Sequence, residues 1–275
     1  MMKTIVLFLF LLFTFLPLNA KLIRVLAIGN SFSEDAVEQY LYELAADQGD
    51  SLVIGNAYIG GCSIDTHFDN LKTDKAAYRF RKVIGGVRSE QRQVTLRMII
   101  QDEQWDIISL QQASQLSGVF TSFYNLAQFK RLIQSYTTNL HVKFVWHMTW
   151  AYAEDFTSDR IEIYGFSQRR MYDAITAVVQ QVMPAVGIKK IIPSGTAIQL
   201  ARISLGDSLT RDGYHLNYTI GRYTAACTWC EFLTGRNVKK NKFWPETLSA
   251  EEAKICRQAA HEACEMQEKK RYVIL

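Results

Sequence analysis

Leu22, Ile23, Val25, Leu26, Ala27 and Ile28 make an apolar run of strand length that stops at Gly29-Asn30 and passes straight into Ser31-Phe32-Ser33-Glu34-Asp35. A short apolar run bounded by a glycine break reads as a strand buried on both faces. Hydroxyls and carboxylates directly after the break suit the start of a helix, whose first N–H groups have no partner within the helix. Strand, tight turn and helix in that order open an α/β fold, and open α/β sheets place ligands outside the carboxyl ends of their strands. Ser31 stands at that place. On these residues alone it reads in two ways: as a helix cap, with Ser33, or as a nucleophile whose own N–H faces an oxyanion.

Far along the chain stands Leu209-Thr210-Arg211-Asp212-Gly213-Tyr214-His215-Leu216-Asn217. Asp212 and His215 are three residues apart, close to one helical turn. At that spacing a carboxylate can hold one imidazole nitrogen while the other faces a serine hydroxyl. The pair is a weak signal alone and a specific one beside Gly29-Asn30-Ser31.

These two blocks resemble those of the SGNH (GDSL-like) hydrolases, which run Ser-His-Asp chemistry on a flavodoxin-like sheet. Gly29-Asn30-Ser31-Phe32-Ser33 is similar to the first block, usually G-D-S, and Asp212-Gly213-Tyr214-His215-Leu216 to the last. The nearest likeness is to a branch of secreted bacterial proteins reading GNSFS and DGxHL, over Lys21 to about Arg236. The resemblance implies Ser31 as nucleophile, His215 as base and Asp212 as its partner. It also implies an oxyanion hole. The N–H of Ser31 supplies one donor, and Ile59-Gly60-Gly61-Cys62-Ser63 supplies another, Gly61 before Gly60; apart from the resemblance this is a plain Gly-Gly turn. The third block normally carries an asparagine, and here the chain reads Leu110-Gln111-Gln112-Ala113-Ser114. A related branch that acts on acetylated sugars carries Gln-Gly-Glu at this point. By that match the amide of Gln112 is the third donor, with Gln111 as the alternative.

The expected fold is a three-layer α/β/α flavodoxin-like domain over residues 21–275, with a five-stranded parallel sheet and a small β-hairpin insertion. Residues 1–20 (MMKTIVLFLFLLFTFLPLNA) read as a signal peptide cleaved after Ala20, since the apolar core from Ile5 to Leu16 is short for a bilayer. The expected location is therefore secreted or periplasmic, with no stable membrane insertion after cleavage. Strands are predicted at Leu22–Ile28, Ser51–Tyr58, Trp105–Leu110, Val142–Met148 and Ile188–Ile192. Helices are predicted at about Asp35–Asp47, Leu96–Gln101, Tyr124–Tyr136, Ile161–Met183, Asn217–Leu233 and Ala250–Gln267. Alternation on each side of Gly85-Gly86 predicts the hairpin between Tyr78 and Thr95. It could overhang the site, and its Arg79, Arg81, Lys82, Arg88 and Arg92 read as a solvated face or as a hold on an acidic substrate.

The strand ending at Met148 delivers aromatic residues toward the active end. Trp150 and His147 are the expected substrate contacts, as a sugar platform; Trp146 and Met148 read equally as core. Ser194 is a second serine at a strand end and reads as loop or cap. With 31 Lys and Arg against 27 Asp and Glu, and no basic stripe, no nucleic-acid partner is expected. An exported chain permits disulfides, but five cysteines leave at least one free or intermolecular. Cys227 and Cys230 form a C-x-x-C inside a predicted helix, where packing or a local disulfide is the expectation, and no set of ligands suggests zinc. The reading is of an ester hydrolase, monomeric or weakly associated, without metal or other cofactor, acting on a small-molecule or polysaccharide ester.

Overall fold

The computed structural model describes residues 20–269. The predicted signal peptide therefore lies almost wholly outside the described residues, as does the tail after Lys269. A single seven-stranded sheet has the order β4-β3-β2-β1-β5-β6-β7. Its strands are β1 (Leu22–Gly29), β2 (Ser51–Tyr58), β3 (Tyr78–Ile84), β4 (Val87–Val94), β5 (Ile107–Leu110), β6 (Lys143–His147) and β7 (Lys190–Ile192). The parallel strands β2-β1-β5-β6-β7 carry the flavodoxin-like order 2-1-3-4-5, and β1 is the middle strand of the seven.

The sheet has seven strands and is mixed, where a five-stranded parallel sheet with a separate insertion was expected. The hairpin forms where predicted but is not an insertion above the site. Strand β2 would end the parallel sheet with a row of unpaired N–H and C=O groups, and β3 covers that row antiparallel from Val53↔Ile84 to Tyr58↔Arg79. Three of the hairpin's basic residues turn to acidic partners, while Arg79 is exposed and Arg92 pairs within the hairpin, with Glu90. Buried Arg81 pairs with Glu34 and Glu38 at 3.0 Å each and Glu90 at 3.1 Å, Arg88 with Glu38 at 2.8 Å, and Lys82 with Asp102 and Glu103.

Two groups of helices cover the two faces. One holds α1 (Ser31–Val37), α2 (Leu41–Asp47), α7 (Ser194–Leu205), α8 (Ile220–Thr234) and α9 (Ala250–Glu268), which pack on one another; the other holds α3 (Ile64–Lys72), α4 (Leu96–Gln101) and α5 (Leu126–Tyr136). α6 (Gln168–Ala185) packs beside the 3-10 turn Phe120–Phe123. The single helix expected over Asp35–Asp47 is split, because Tyr40 takes a left-handed φ of 69° and ties its hydroxyl to the Tyr218 carbonyl at 2.6 Å. The helix expected over Ile161–Met183 begins later, after a 3-10 turn at Asp159–Tyr164 closed by Gly165. All five cysteines are free thiols, and Cys227 and Cys230 are buried side chains of α8. Among the described residues no helix is long and apolar enough to cross a membrane, and no cluster of three or more candidate metal ligands occurs.

Candidate active site

The break after β1 resolves the two readings of its serines. Asn30, extended at φ −141°, is the residue that caps α1: its Oδ1 accepts the Phe32 N–H at 3.0 Å. Buried Ser33 donates toward Asn30 O and Asn56 Oδ1. Ser31 is the first residue of the helix, its hydroxyl is spared both tasks, and it lies 2.8 Å from His215 Nε2. The N–H of Ser31 and the N–H of Gly61 have no protein partner among the described residues.

The opposite wall is the loop between the Thr210↔Leu216 bridge. Asp212 Oδ1 accepts the backbone N–H groups of His215 at 2.7 Å and Tyr214 at 3.2 Å, and Oδ2 lies 2.6 Å from His215 Nδ1. The carboxylate thus folds the loop and orients the ring together. Its partial burial would raise its pKa, but the bonds from the His215 ring and from the two N–H groups outweigh this and hold it below the ordinary value. With the Nδ1 proton committed to Asp212, Nε2 is left to accept from the Ser31 hydroxyl, the polarity a general base needs. Unlike a buried triad acid, the Asp212 side chain is 40% exposed.

The loop is held onto α1 by Asp35, which is fully buried. One oxygen lies 2.6 Å from Arg222 and 3.1 Å from Arg211, and the other accepts the Leu216 N–H at 2.9 Å. Arg211 also donates to the Leu216 carbonyl. Asp35 went unnoticed in the sequence except as a helix-start carboxylate; its position four residues after Ser31, on the same face of the helix, was the available signal.

Three expected contacts fall elsewhere. Gln112 is fully buried and does not offer its amide to an oxyanion: Nε2 donates to both Ser122 O and Ser122 Oγ, and Oε1 accepts the N–H groups of Ile64 and Ala113. Gln111, the alternative, donates to Asn30 Oδ1 at 2.8 Å. Trp150 is fully buried, stacked on Phe32 at 4.2 Å, with its indole N–H on the Tyr214 carbonyl; it supports the histidine loop from behind and offers no face to a sugar. His147 is likewise fully buried, between Gln111 and Ser194. A strand end puts successive side chains on opposite sides, and here most of them point into the core. The aromatic ring that does stand at the site is half-buried Tyr214, 4.0 Å from the His215 ring and 5.4 Å from that of Phe156. A separate cavity of about 740 Å³ lies at the amino ends of β5, β6 and β7, the opposite end of the sheet, and shares no residue with this site.

Five parallel strands in the order 2-1-3-4-5, with a Ser-His-Asp line at the carboxyl end of the first, are SGNH-like (GDSL-like), as the two sequence blocks implied. The chain belongs to the DUF4886 family, described as "Domain of unknown function (DUF4886)", whose profile matches residues 24–263. The crystal structure of a DUF4886 family protein from Bacteroides uniformis is similar, with 47% identity and a TM-score of 0.87 over 89% of this chain and 95% of that one. A putative GDSL-like lipase from Parabacteroides merdae is far more distant, at 11% identity and a TM-score of 0.48 over 79% and 99% of the two chains. No curated protein matches the chain at a significant level.

Proposed function

We propose that the protein is an exported serine esterase that removes short acyl groups, O-acetyl groups above all, from carbohydrate. The observation that carries the reading is the continuous line Ser31 Oγ–His215 Nε2 at 2.8 Å and His215 Nδ1–Asp212 Oδ2 at 2.6 Å, at the mouth of the sheet. In this mechanism Ser31 Oγ attacks the ester carbonyl as its proton passes to His215 Nε2, and Asp212 stabilises the imidazolium. The oxyanion is met by the N–H groups of Ser31 and Gly61. The alcohol leaves with the proton from His215, giving an acyl-Ser31 ester. Water then attacks that ester with His215 again as base, releasing the acid and restoring the hydroxyl. Protein groups and water supply every step.

Tyr214, with Phe156 beside it, supports the carbohydrate assignment as an aromatic face next to the base, in the place expected of Trp150. The leader-like composition of residues 1–20 supports export, and the test is the mass of the protein recovered outside the host cytoplasm, expected to begin at Lys21. The activity test is hydrolysis of 4-nitrophenyl acetate by wild type beside Ser31→Ala, followed by acetylated oligosaccharides and long-chain acyl esters. Wild-type turnover that drops to background in Ser31→Ala, with short acyl preferred, is the expected result. Preference for long chains would make it a lipid-type esterase. If wild type shows no turnover and a serine-reactive phosphonate leaves Ser31 unlabelled, the protein is a binding module on a hydrolase fold.

A further inference from the structure

Behind the nucleophile runs a buried chain of side chains that the acyl-transfer steps do not use. Ser194 Oγ lies 3.0 Å from His147 Nε2; His147 Nδ1 lies 2.9 Å from Gln111 Oε1; Gln111 Nε2 lies 2.8 Å from Asn30 Oδ1; and Asn30 Nδ2 lies 3.0 Å from the Cys62 carbonyl. The four side chains are between 0% and 3% exposed. One backbone group sets the direction of every bond. The Phe32 N–H can only donate, so Asn30 must present Oδ1 to it, and Nδ2 is then left for Cys62 O. The group of Gln111 that meets the same Oδ1 must be its Nε2, so its Oε1 faces the imidazole and His147 Nδ1 must carry hydrogen. A neutral imidazole has one N–H, so Nε2 accepts from the Ser194 hydroxyl. Burial holds that ring neutral, lowering its pKa to about 3, and the edges of Trp229 and Trp150 close around it. Gly29 lets the chain pass close to β1: a Cβ there would stand 2.7 Å from Gln111 Cδ.

We propose that His147 is a positioning residue that acts through Gln111 and Asn30, fixing the amide that ties the Ser31 turn to the Gly61–Cys62 loop. The consequence is a constant spacing between the two N–H groups that receive the oxyanion. It also accounts for Asn30 where G-D-S is usual, because a carboxylate at residue 30 has no hydrogen for the Cys62 carbonyl. The catalytic effect rests on the esterase reading above; the hydrogen-bond direction does not.

The test compares His147→Asn, whose amide nitrogen can take the place of Nδ1, with His147→Phe, which removes the donor at similar ring size. On 4-nitrophenyl acetate, His147→Phe is expected to lose at least tenfold in kcat with KM within twofold, and His147→Asn to recover to within threefold of wild type. Asn30→Asp is expected to resemble His147→Phe. Equal kcat in Phe and Asn variants, or a loss confined to KM, overturns the proposal. Should His147→Phe not fold, or should wild type prove inactive on esters, nitrogen-15 NMR of the wild-type histidines decides. The expected result is a neutral Nδ1–H tautomer for His147 with a slowly exchanging proton. An Nε2–H tautomer reverses the chain and overturns it, whatever the fate of the esterase reading.

Discussion

Replacing Asp35 by asparagine keeps its shape and removes the charge that holds the histidine loop against α1. In the structure Asp35 meets three donors: Arg222 at 2.6 Å and Arg211 at 3.1 Å on one oxygen, and the Leu216 N–H at 2.9 Å on the other. An asparagine must turn its NH2 toward either Arg222 or Leu216, so a donor meets a donor in both orientations. Removing one partner of a buried ion pair typically costs about 3–5 kcal/mol, because the remaining charge stays buried. Here the low end applies. Arg222, at 8% exposure, keeps Glu34 at 3.7 Å, and Arg211 is 26% exposed to water. About 3 kcal/mol in a domain of this size corresponds to a fall in Tm of about 6–12 °C. The assay is thermal and urea unfolding of wild type, Asp35→Asn, Arg222→Met and the double variant, with ester hydrolysis at 25 °C. Asp35→Asn should fall in kcat by roughly tenfold, since Leu216 adjoins His215, and Arg222→Met should return part of the lost stability in the double variant. A Tm within 2 °C of wild type together with kcat within twofold would refute this account of the loop.

Gln112→Met is expected to cost about 1–3 kcal/mol, through the buried N–H groups of Ile64 and Ala113 that lose their acceptor, while kcat of the folded protein changes less than tenfold. A drop on the order of 10²–10³ in kcat would restore Gln112 to the oxyanion hole. Burial lowers the pKa of both His147 and His67 from 6.5 to about 3. The unfolded chain therefore binds more protons than the folded one below pH 6.5, and stability falls from pH 6.5 toward about pH 3. The loss at pH 5 is about 2 kcal/mol for each ring. Urea midpoints between pH 7 and pH 5 check this, and midpoints that stay level would show that the rings charge in place.

Where a structural fact is local in the chain, the residues carried it. β2 and α4 formed over the predicted residues, and Asp212 reaches His215 because the two are three residues apart. The helix α3, a short segment started by the Ser63 cap, went unread, and of α7 only a cap or loop at Ser194 was read, where the helix opens after β7. Gln111 and Gln112 illustrate the limit better. They are identical neighbours, and no pattern in the sequence says which faces the nucleophile's turn. Their surroundings decide: Ser122 and Ile64 take one amide, Asn30 and His147 the other.

The sequence by itself determined that β1 is a buried strand broken at Gly29, and that a serine at its end and a D-x-x-H far along the chain are suited to one another. Those facts depend on hydrophobic runs, turn residues and short spacings, which act within a few residues. Only the tertiary structure decided that Gln111 rather than Gln112 meets the Asn30 turn, that the hairpin extends the sheet, and that Trp150 and His147 are buried. Each depends on which surface arrives from elsewhere in the chain. An unpaired strand edge takes whichever strand reaches it, and an aromatic or imidazole side chain becomes a ligand contact or a core residue according to what packs over it.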